Sequence, residues 1–102
     1  MTHNVVYRME ALADLRWLHD RIARKAGLVI ADGYIRRIEA ACAKLATFPE
    51  RGTRRPEISQ GLRTFGFERR VTIAFRVLKT EVEIVTIAYG GREFEDEIRD
   101  DG

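Results

Sequence analysis

A change of hydrophobic period in the middle of the chain constrains the fold more than any other feature. Before Phe48-Pro49, apolar residues recur at the spacing of a helix, and after Ile58 they follow the short alternation of strands. The connector between them, residues 48–63, contains two prolines, two glycines and four arginines. The chain therefore joins a helical part to a sheet, and it concentrates cationic side chains where the two parts meet.

The helical part is predicted to form two helices. The first extends from Glu10 to Gly27, because glycine suits the left-handed conformation that ends a helix. The second extends from about Val29 to Thr47, because the residue before Pro49 disfavours helical geometry. The short link between them predicts an antiparallel hairpin. The stripes predicted to be buried are Leu12, Leu15, Leu18 and Ile22 on the first helix, and Ile30, Tyr34, Ile38, Ala41, Cys42 and Leu45 on the second.

Four strands are predicted from β-prone or alternating segments, at residues 4–9, 62–67, 70–78 and 82–89. The last three follow one another through tight connections and should be antiparallel neighbours. We therefore expect a single α+β domain over residues 1–102, with the order β-α-α-β-β-β. The helical hairpin should pack on one face of a mainly antiparallel four-stranded sheet. The predicted core is Leu15, Leu18, Ile22, Ile38, Leu45, Ile73, Phe75, Ile84 and Ile87.

Composition excludes several classes of protein. A chain of 102 residues can bury a core without disulfides, and its only cysteine, Cys42, is interpreted as a small buried apolar residue. His3 and His19 have no partner at metal-ligand spacing, so neither a metal nor a cofactor is expected. No apolar run approaches the length of a membrane span, and the N-terminus lacks the pattern of a secretory signal. The expected location is the cytoplasm.

Charge is distributed unevenly along the chain. Residues 51–80 carry eight Lys or Arg against two acidic residues, whereas residues 81–102 carry eight acidic residues against two Arg. Such asymmetry indicates an acidic or phosphate-bearing partner, and it is equally consistent with the acidic tail lying over the basic middle of its own chain.

The arginines form the candidate site. Arginine makes planar, multidentate contacts to phosphate and carboxylate groups, so the set is suited to an RNA backbone or an acidic partner. Cleavage of RNA would also need a base and an acid, and Tyr89 is the only neutral candidate in the second half of the chain. Alternatively, the arginines are surface residues that pair with Glu57, Glu68 and the acidic tail. The candidates are Arg51, Arg54, Arg55, Arg63, Arg69, Arg70 and Arg76, with Arg76 and Arg63 expected near the open face of the sheet.

A series of short motifs runs in order through nearly the whole chain. They are Ala13-Asp14-Leu15, Ala31-x-x-Tyr34-Ile35-x-x-Ile38, Leu45-Ala46-x-Phe48-Pro49-x-x-Gly52, Gly61-Leu62-Arg63, Phe75-Arg76-Val77, and Ile84-Val85-x-Ile87 before Gly91-Arg92. In order and spacing they resemble the RelE/ParE superfamily of toxins from bacterial type II toxin–antitoxin systems. The segment from Leu45 to Gly52 and the Gly61-Leu62-Arg63 strand opening are closer to the ParE-like branch.

This resemblance implies two competing activities. ParE-like members poison DNA gyrase, and RelE-like members are endonucleases that cut mRNA on the ribosome. The ParE-like reading is preferred, and it implies a toxin that is not an enzyme and has no catalytic residue. On the RelE-like reading the catalytic set would be Arg54, Arg55, Arg63, Arg76 and Tyr89. A third possibility is a degenerate member that only binds an antitoxin-like partner.

The resemblance also implies an antitoxin as partner. An acidic segment that folds on binding would suit the cationic middle of the chain and the exposed apolar surface of the helical hairpin. Trp17 is rotated away from the buried stripe of the first helix and is predicted to lie at its edge. The predicted partner-binding residues are Trp17, Arg51, Arg54, Arg55, Arg63 and Arg76.

Overall fold

Two helices pack against a five-stranded sheet in the computed structural model, which describes residues 3–68 and 70–90. The α+β class and the helical hairpin on a mainly antiparallel sheet are confirmed. The elements are β1 (Asn4–Tyr7), α1 (Met9–Ala26), α2 (Leu28–Ala43), a 3₁₀ turn at Lys44–Ala46, β2 (Thr53–Arg54), β3 (Leu62–Phe67), β4 (Val71–Val77) and β5 (Glu81–Tyr89).

The strands lie in the order β1-β5-β4-β3-β2. β1 is parallel to β5, and the other neighbours are antiparallel. The strand missing from the sequence prediction is β2, where Thr53 and Arg54 pair with Thr64 and Arg63. Gly52 precedes it with φ +80°, and a side chain at this position would collide with the backbone oxygen of Thr64. A two-residue strand has no alternation of its own, so only its pairing with β3 reveals it.

The helical hairpin turns through one residue. Gly27, with φ +94°, lies between α1 and α2 and donates its N–H to the carbonyl of Ala23 at 2.9 Å. Farther along, His19 Nε2 on α1 lies 2.7 Å from Asp32 Oδ1 on α2. This polar contact joins the two helices at the exposed side of the hairpin.

The core lies between the hairpin and the sheet. Every predicted core residue is buried except Ile22, which is half-buried. The predictions that Leu12 and Ile30 face the core are wrong, because these side chains are 53% and 57% exposed. Their neighbours Ala11 and Ala31 are fully buried instead. One position corresponds to a rotation of about 100° around a helix, which is enough to carry a side chain out of the buried stripe.

The second face of the sheet is partly covered by the connector. Ile58 from the connector packs with Leu62, Ala74 and Val85 in a small buried cluster. A register shift between Ala74 and Phe75 accompanies this cluster. The sequence prediction that β5 is covered on both sides is confirmed, because Val82 and Ile84 join the main core while Val85 joins the small cluster.

Candidate functional site

Two arginines face each other at the edge of the sheet. Arg54 on β2 is paired with Arg63 on β3. The adjacent Arg55 N–H donates to the Leu62 carbonyl at 2.8 Å, so the Arg54–Arg63 pair lies between hydrogen-bonded positions. In an antiparallel ladder, side chains approach each other most closely at these non-hydrogen-bonded pairs. Arg63 is in turn opposite Phe75 of the main core, which places both arginines on the face that carries the helices. The expectation that Arg63 lies near the open face is therefore wrong.

Arg63 is held in place by the connector, and Arg54 is not. The Nη1 of Arg63 donates to the carbonyls of Glu50 at 3.2 Å and Arg51 at 3.4 Å. Arg54 is exposed and has no hydrogen bond or ion pair with another residue in the described ranges 3–68 and 70–90. One guanidinium is thus oriented in advance, and its neighbour is free to reach a ligand.

The two arginines line a cavity of about 430 Å³ at the end of the sheet where β3 begins and β4 ends. Its wall combines cationic, acidic and apolar side chains. The lining residues are Glu50, Arg54, Pro56, Gly61, Leu62, Arg63 and Val77. Such a wall can take an anionic group together with an apolar neighbour.

The other predicted arginines that the structure describes do not line this cavity. Arg55 pairs with Glu57 at 2.6 Å. Arg76 is opposite Leu62, on the face away from the helices, where it donates to Ser59 Oγ and lies 3.9 Å from Glu83. Arg51 is exposed and contributes its backbone carbonyl to Arg63. Arg70 is exposed, and Arg69 lies outside the described residues.

Tyr89 and Trp17 form a separate aromatic cluster. Their ring centroids are 6.5 Å apart with edge-to-face geometry. The guanidinium of Arg21 lies 5.4 Å from the Trp17 ring and 5.8 Å from the Tyr89 ring. Because Tyr89 is opposite Val71 whereas Arg63 is opposite Phe75, the two residues are displaced by about 13 Å along the strands. They are also two strands apart in the sheet.

Two features of the helical hairpin were not found from sequence. Arg21 lies outside the predicted buried stripe of the first helix, and only the structure shows it against two aromatic rings. Exposed apolar side chains also gather at the start of each helix. They are Met9 and Leu12 on α1, which with Ala13 and Arg16 line a second cavity of about 260 Å³, and Leu28, Val29 and Ile30 on α2. The consecutive run Leu28-Val29-Ile30, directly after Gly27, is a signal that was available in the sequence.

Cys42 belongs to the core between the helices and the sheet. It is fully buried, as predicted, and burial raises the pKa of its thiol to about 11. Burial also raises the pKa of Tyr7, whose hydroxyl contacts the Cys42 thiol. The thiolate is the reactive form of cysteine, and burial disfavours it. We therefore interpret the contact between Tyr7 and Cys42 as part of the packing between β1 and α2.

Across residues 3–68 and 70–90, no three His, Cys, Asp or Glu side chains come together as metal ligands. Within the same ranges, neither helix has the length and apolar character needed to cross a bilayer.

Comparisons with known proteins point to one family. Residues 5–94 match the model described as the ParE toxin of the type II toxin–antitoxin system parDE. The structure is similar to one from the chromosomal ParDE toxin–antitoxin system of P. aeruginosa, with a TM-score of 0.76 and 26% identity over 87% of this chain and 97% of that chain. A chain of the RelBE2 toxin–antitoxin complex from Mycobacterium tuberculosis shares the fold, with a TM-score of 0.59 and 19% identity over 87% and 99% of the two chains. A search of curated proteins gives no match.

The family match covers most of the chain, including both helices, β1 except for Asn4, and the strands β2 to β5. It agrees with the ordered motifs found in the sequence and with the hairpin-on-sheet fold. The chain therefore belongs to the ParE toxin family of type II toxin–antitoxin systems.

Proposed function

We propose that the protein is a toxin that binds and inhibits DNA gyrase and that a cognate antitoxin neutralises it. Membership of the ParE family supports this proposal, since the resemblance to ParE-like toxins implies action on gyrase. The structural observation that carries it is the separation of Tyr89 from the arginine pair Arg54 and Arg63. A toxin that acts by binding needs no proton-transfer group beside its cationic site.

RNA cleavage would require a different arrangement. A general base must come within hydrogen-bond distance of the 2′-hydroxyl, about 3 Å, while cations hold the phosphate. Tyr89 packs against Trp17 and Arg21 instead, and Arg76 lies on the opposite face of the sheet from Arg63. One observation favours the RelE-like alternative, ribosome-dependent cleavage of mRNA: the arginine pair at the cavity is suited to a phosphate as well as to a carboxylate.

The antitoxin would bind the exposed apolar surface of the helical hairpin. Met9, Leu12 and Trp17 on α1 are 83%, 53% and 45% exposed, and Leu28, Val29 and Ile30 form a separate exposed apolar group at the start of α2. These exposed apolar side chains form a candidate surface for a protein partner. An amphipathic antitoxin segment would cover it, and acidic residues of the same segment would reach the arginines of the connector.

The proposed location follows from these partners. Gyrase and a newly made antitoxin are both encountered in the cytoplasm, so we place the toxin there. Inhibited gyrase would arrest growth in cells that lose the antitoxin. A toxin–antitoxin pair of this type would thereby stabilise a plasmid that carries it.

Two assays on the purified toxin test the proposal. Supercoiling of relaxed plasmid by gyrase should fall as toxin is added, and the antitoxin should restore it. Ribosomes programmed with a defined mRNA should leave that transcript intact at the same toxin concentrations. Unimpaired supercoiling together with transcripts cut in the ribosomal A site would overturn the gyrase proposal in favour of the RelE-like activity.

A further inference from the structure

The Arg54–Arg63 pair is unfavourable for the sheet in the absence of a ligand. Like charges directly opposite each other on an antiparallel ladder destabilise it. Within residues 3–68 and 70–90, neither guanidinium forms an ion pair with a carboxylate. Glu50 borders the same cavity, yet only its backbone carbonyl contacts Arg63. The site thus has an excess of positive charge that an anionic group would neutralise.

We propose that Arg54 and Arg63 together bind the carboxylate of one acidic side chain on a peptide partner. Arg63 is already oriented by two backbone carbonyls, so little conformational entropy is lost when it binds. Arg54 is exposed and supplies the second guanidinium from the neighbouring strand. Two planar guanidinium groups on adjacent strands match the two oxygens of a carboxylate.

The cavity favours a peptide over a nucleic acid. Beside the arginines its wall is apolar, with Pro56, Leu62 and Val77, which suits an apolar side chain next to the acidic one. Nucleic acid is held by a row of cations along its backbone. Here Arg55 is paired with Glu57, and Arg76 lies on the other face of the sheet.

This inference rests on the proposed function only for the identity of the partner, which would be the antitoxin. The binding chemistry can be tested without antitoxin or gyrase. A failure of gyrase inhibition would therefore leave the site untouched, and a failure of the site would leave gyrase inhibition untouched.

The test uses three fluorescently labelled probes and the full-length toxin at low salt, with binding followed by anisotropy. The first probe is a short synthetic peptide in which glutamates alternate with leucines. The second is the same peptide with glutamine in place of each glutamate. The third is a single-stranded oligothymidylate that carries the same number of negative charges. We expect the glutamate peptide to bind, its affinity to fall as salt is added, and the glutamine peptide to bind much more weakly.

Variants of the cavity should change this affinity in opposite directions. Arg54→Gln and Arg63→Gln should each weaken binding of the glutamate peptide roughly tenfold, because each removes a charge-assisted hydrogen bond. Since both arginines hold one carboxylate, the double variant should lose less than the product of the two single losses. Glu50→Gln should tighten binding, because it removes a repelling charge. Arg36→Gln, at an exposed position on α2, changes the net charge equally and should leave the affinity unchanged.

Three results would overturn the proposal. One is equal binding of the glutamate and glutamine peptides. Another is an affinity that does not respond to Arg54→Gln, which replaces an exposed side chain without an internal partner in the described ranges. The third is oligothymidylate binding that is tighter than that of the peptide and depends on both arginines, which would assign the site to nucleic acid.

Discussion

The side chain of Asp14 on α1 accepts a hydrogen bond from the backbone N–H of Ile87 on β5, with an Oδ2–N distance of 2.9 Å. The N–H has no strand partner on this side, because β1 pairs with β5 only as far as Ile84. Beyond the end of β1, the carboxylate of Asp14 thus takes the place of a strand carbonyl as the acceptor for β5. The contact fixes α1 to β5 next to the aromatic cluster of Trp17 and Tyr89.

Replacing this carboxylate should destabilise the domain. Asp14→Ala leaves the partly buried N–H of Ile87 without its acceptor, and a hydrogen bond to a charged group contributes about 1.5–3 kcal/mol. Asp14→Asn keeps an oxygen acceptor and should lose less. Urea unfolding of the three proteins measures the difference. Equal midpoints for Asp14→Ala and the unmodified protein would show that the contact does not stabilise the fold.

Truncation of the central aromatic side chain should have a larger effect. Phe75 is fully buried, and its ring packs edge-to-face on Phe65 with centroids 5.8 Å apart. Phe75→Ala should cost roughly 3–5 kcal/mol of unfolding free energy. Phe48→Ala is the matched control, since the Phe48 side chain is 62% exposed. A melting temperature that is unchanged in Phe75→Ala, or lowered equally in both variants, would contradict the assignment of the core.

The contact between His19 on α1 and Asp32 on α2 should make the stability of the fold depend on pH. A hydrogen bond to Asp32 raises the pKa of His19 above its usual value near 6.5, and Asp20 contributes in the same direction. The charged pair therefore stabilises the hairpin fully below about pH 6.5, and this contribution is lost as pH rises through the raised pKa. Asp32→Asn should lower the pKa of His19, measured by NMR titration, and flatten the pH profile of the melting temperature. A His19 pKa that is unaffected by Asp32→Asn would show that the contact is not formed in solution.

The Tyr89 hydroxyl should be dispensable for toxicity. Tyr89→Phe keeps the ring that packs on Trp17 and Arg21 and removes only the group able to transfer a proton. If the toxin acts by binding gyrase, growth arrest on expression should be unchanged, and the DNA-damage response should be induced. Growth curves with a reporter of that response measure both effects. Loss of toxicity in a folded Tyr89→Phe protein would support a catalytic role for the hydroxyl instead.

The helical and strand periods predicted most of the core but not its exact limits. Phe75 and Leu15 were correctly predicted to be buried, because each belongs to a long segment in which apolar residues recur at a regular spacing. Leu12 and Ile30 were misplaced because a helical stripe read from apolar residues alone can be one position out of phase, and buried alanines at positions 11 and 31 give a weak signal. Thr53–Arg54 forms a strand only through its partner β3, so its own sequence contains no pattern for it.

The candidate site was predictable as a set of residues but not as a geometry. The arginines of the connector were recognised from composition, yet which of them share a face depends on strand register. The register of β2 with β3 places Arg54 beside Arg63, and the register of β3 with β4 places Arg76 on the opposite face. Register also separates Tyr89 from Arg63. This separation arises from the pairing of β5 with β4 and of β4 with β3, so it cannot be predicted from the spacing of the two residues along the chain.

Binding of the antitoxin should depend on the connector arginines and on Trp17 in different ways. Charges outside a buried contact speed association, whereas apolar anchors slow dissociation. Reversing Arg54 and Arg55 to Glu should therefore slow association and reduce its dependence on salt. Trp17→Ala removes a side chain that is 45% exposed and packs on Tyr89, so it should mainly speed dissociation.

Surface plasmon resonance with immobilised antitoxin separates the two rates. Arg36→Glu provides a matched charge reversal on the exposed side of α2 and should change neither rate by more than about twofold. Affinity that is indifferent to both sets of changes would exclude this docking surface. Family membership would stand in that case, because it depends on the match over residues 5–94 and not on these side chains.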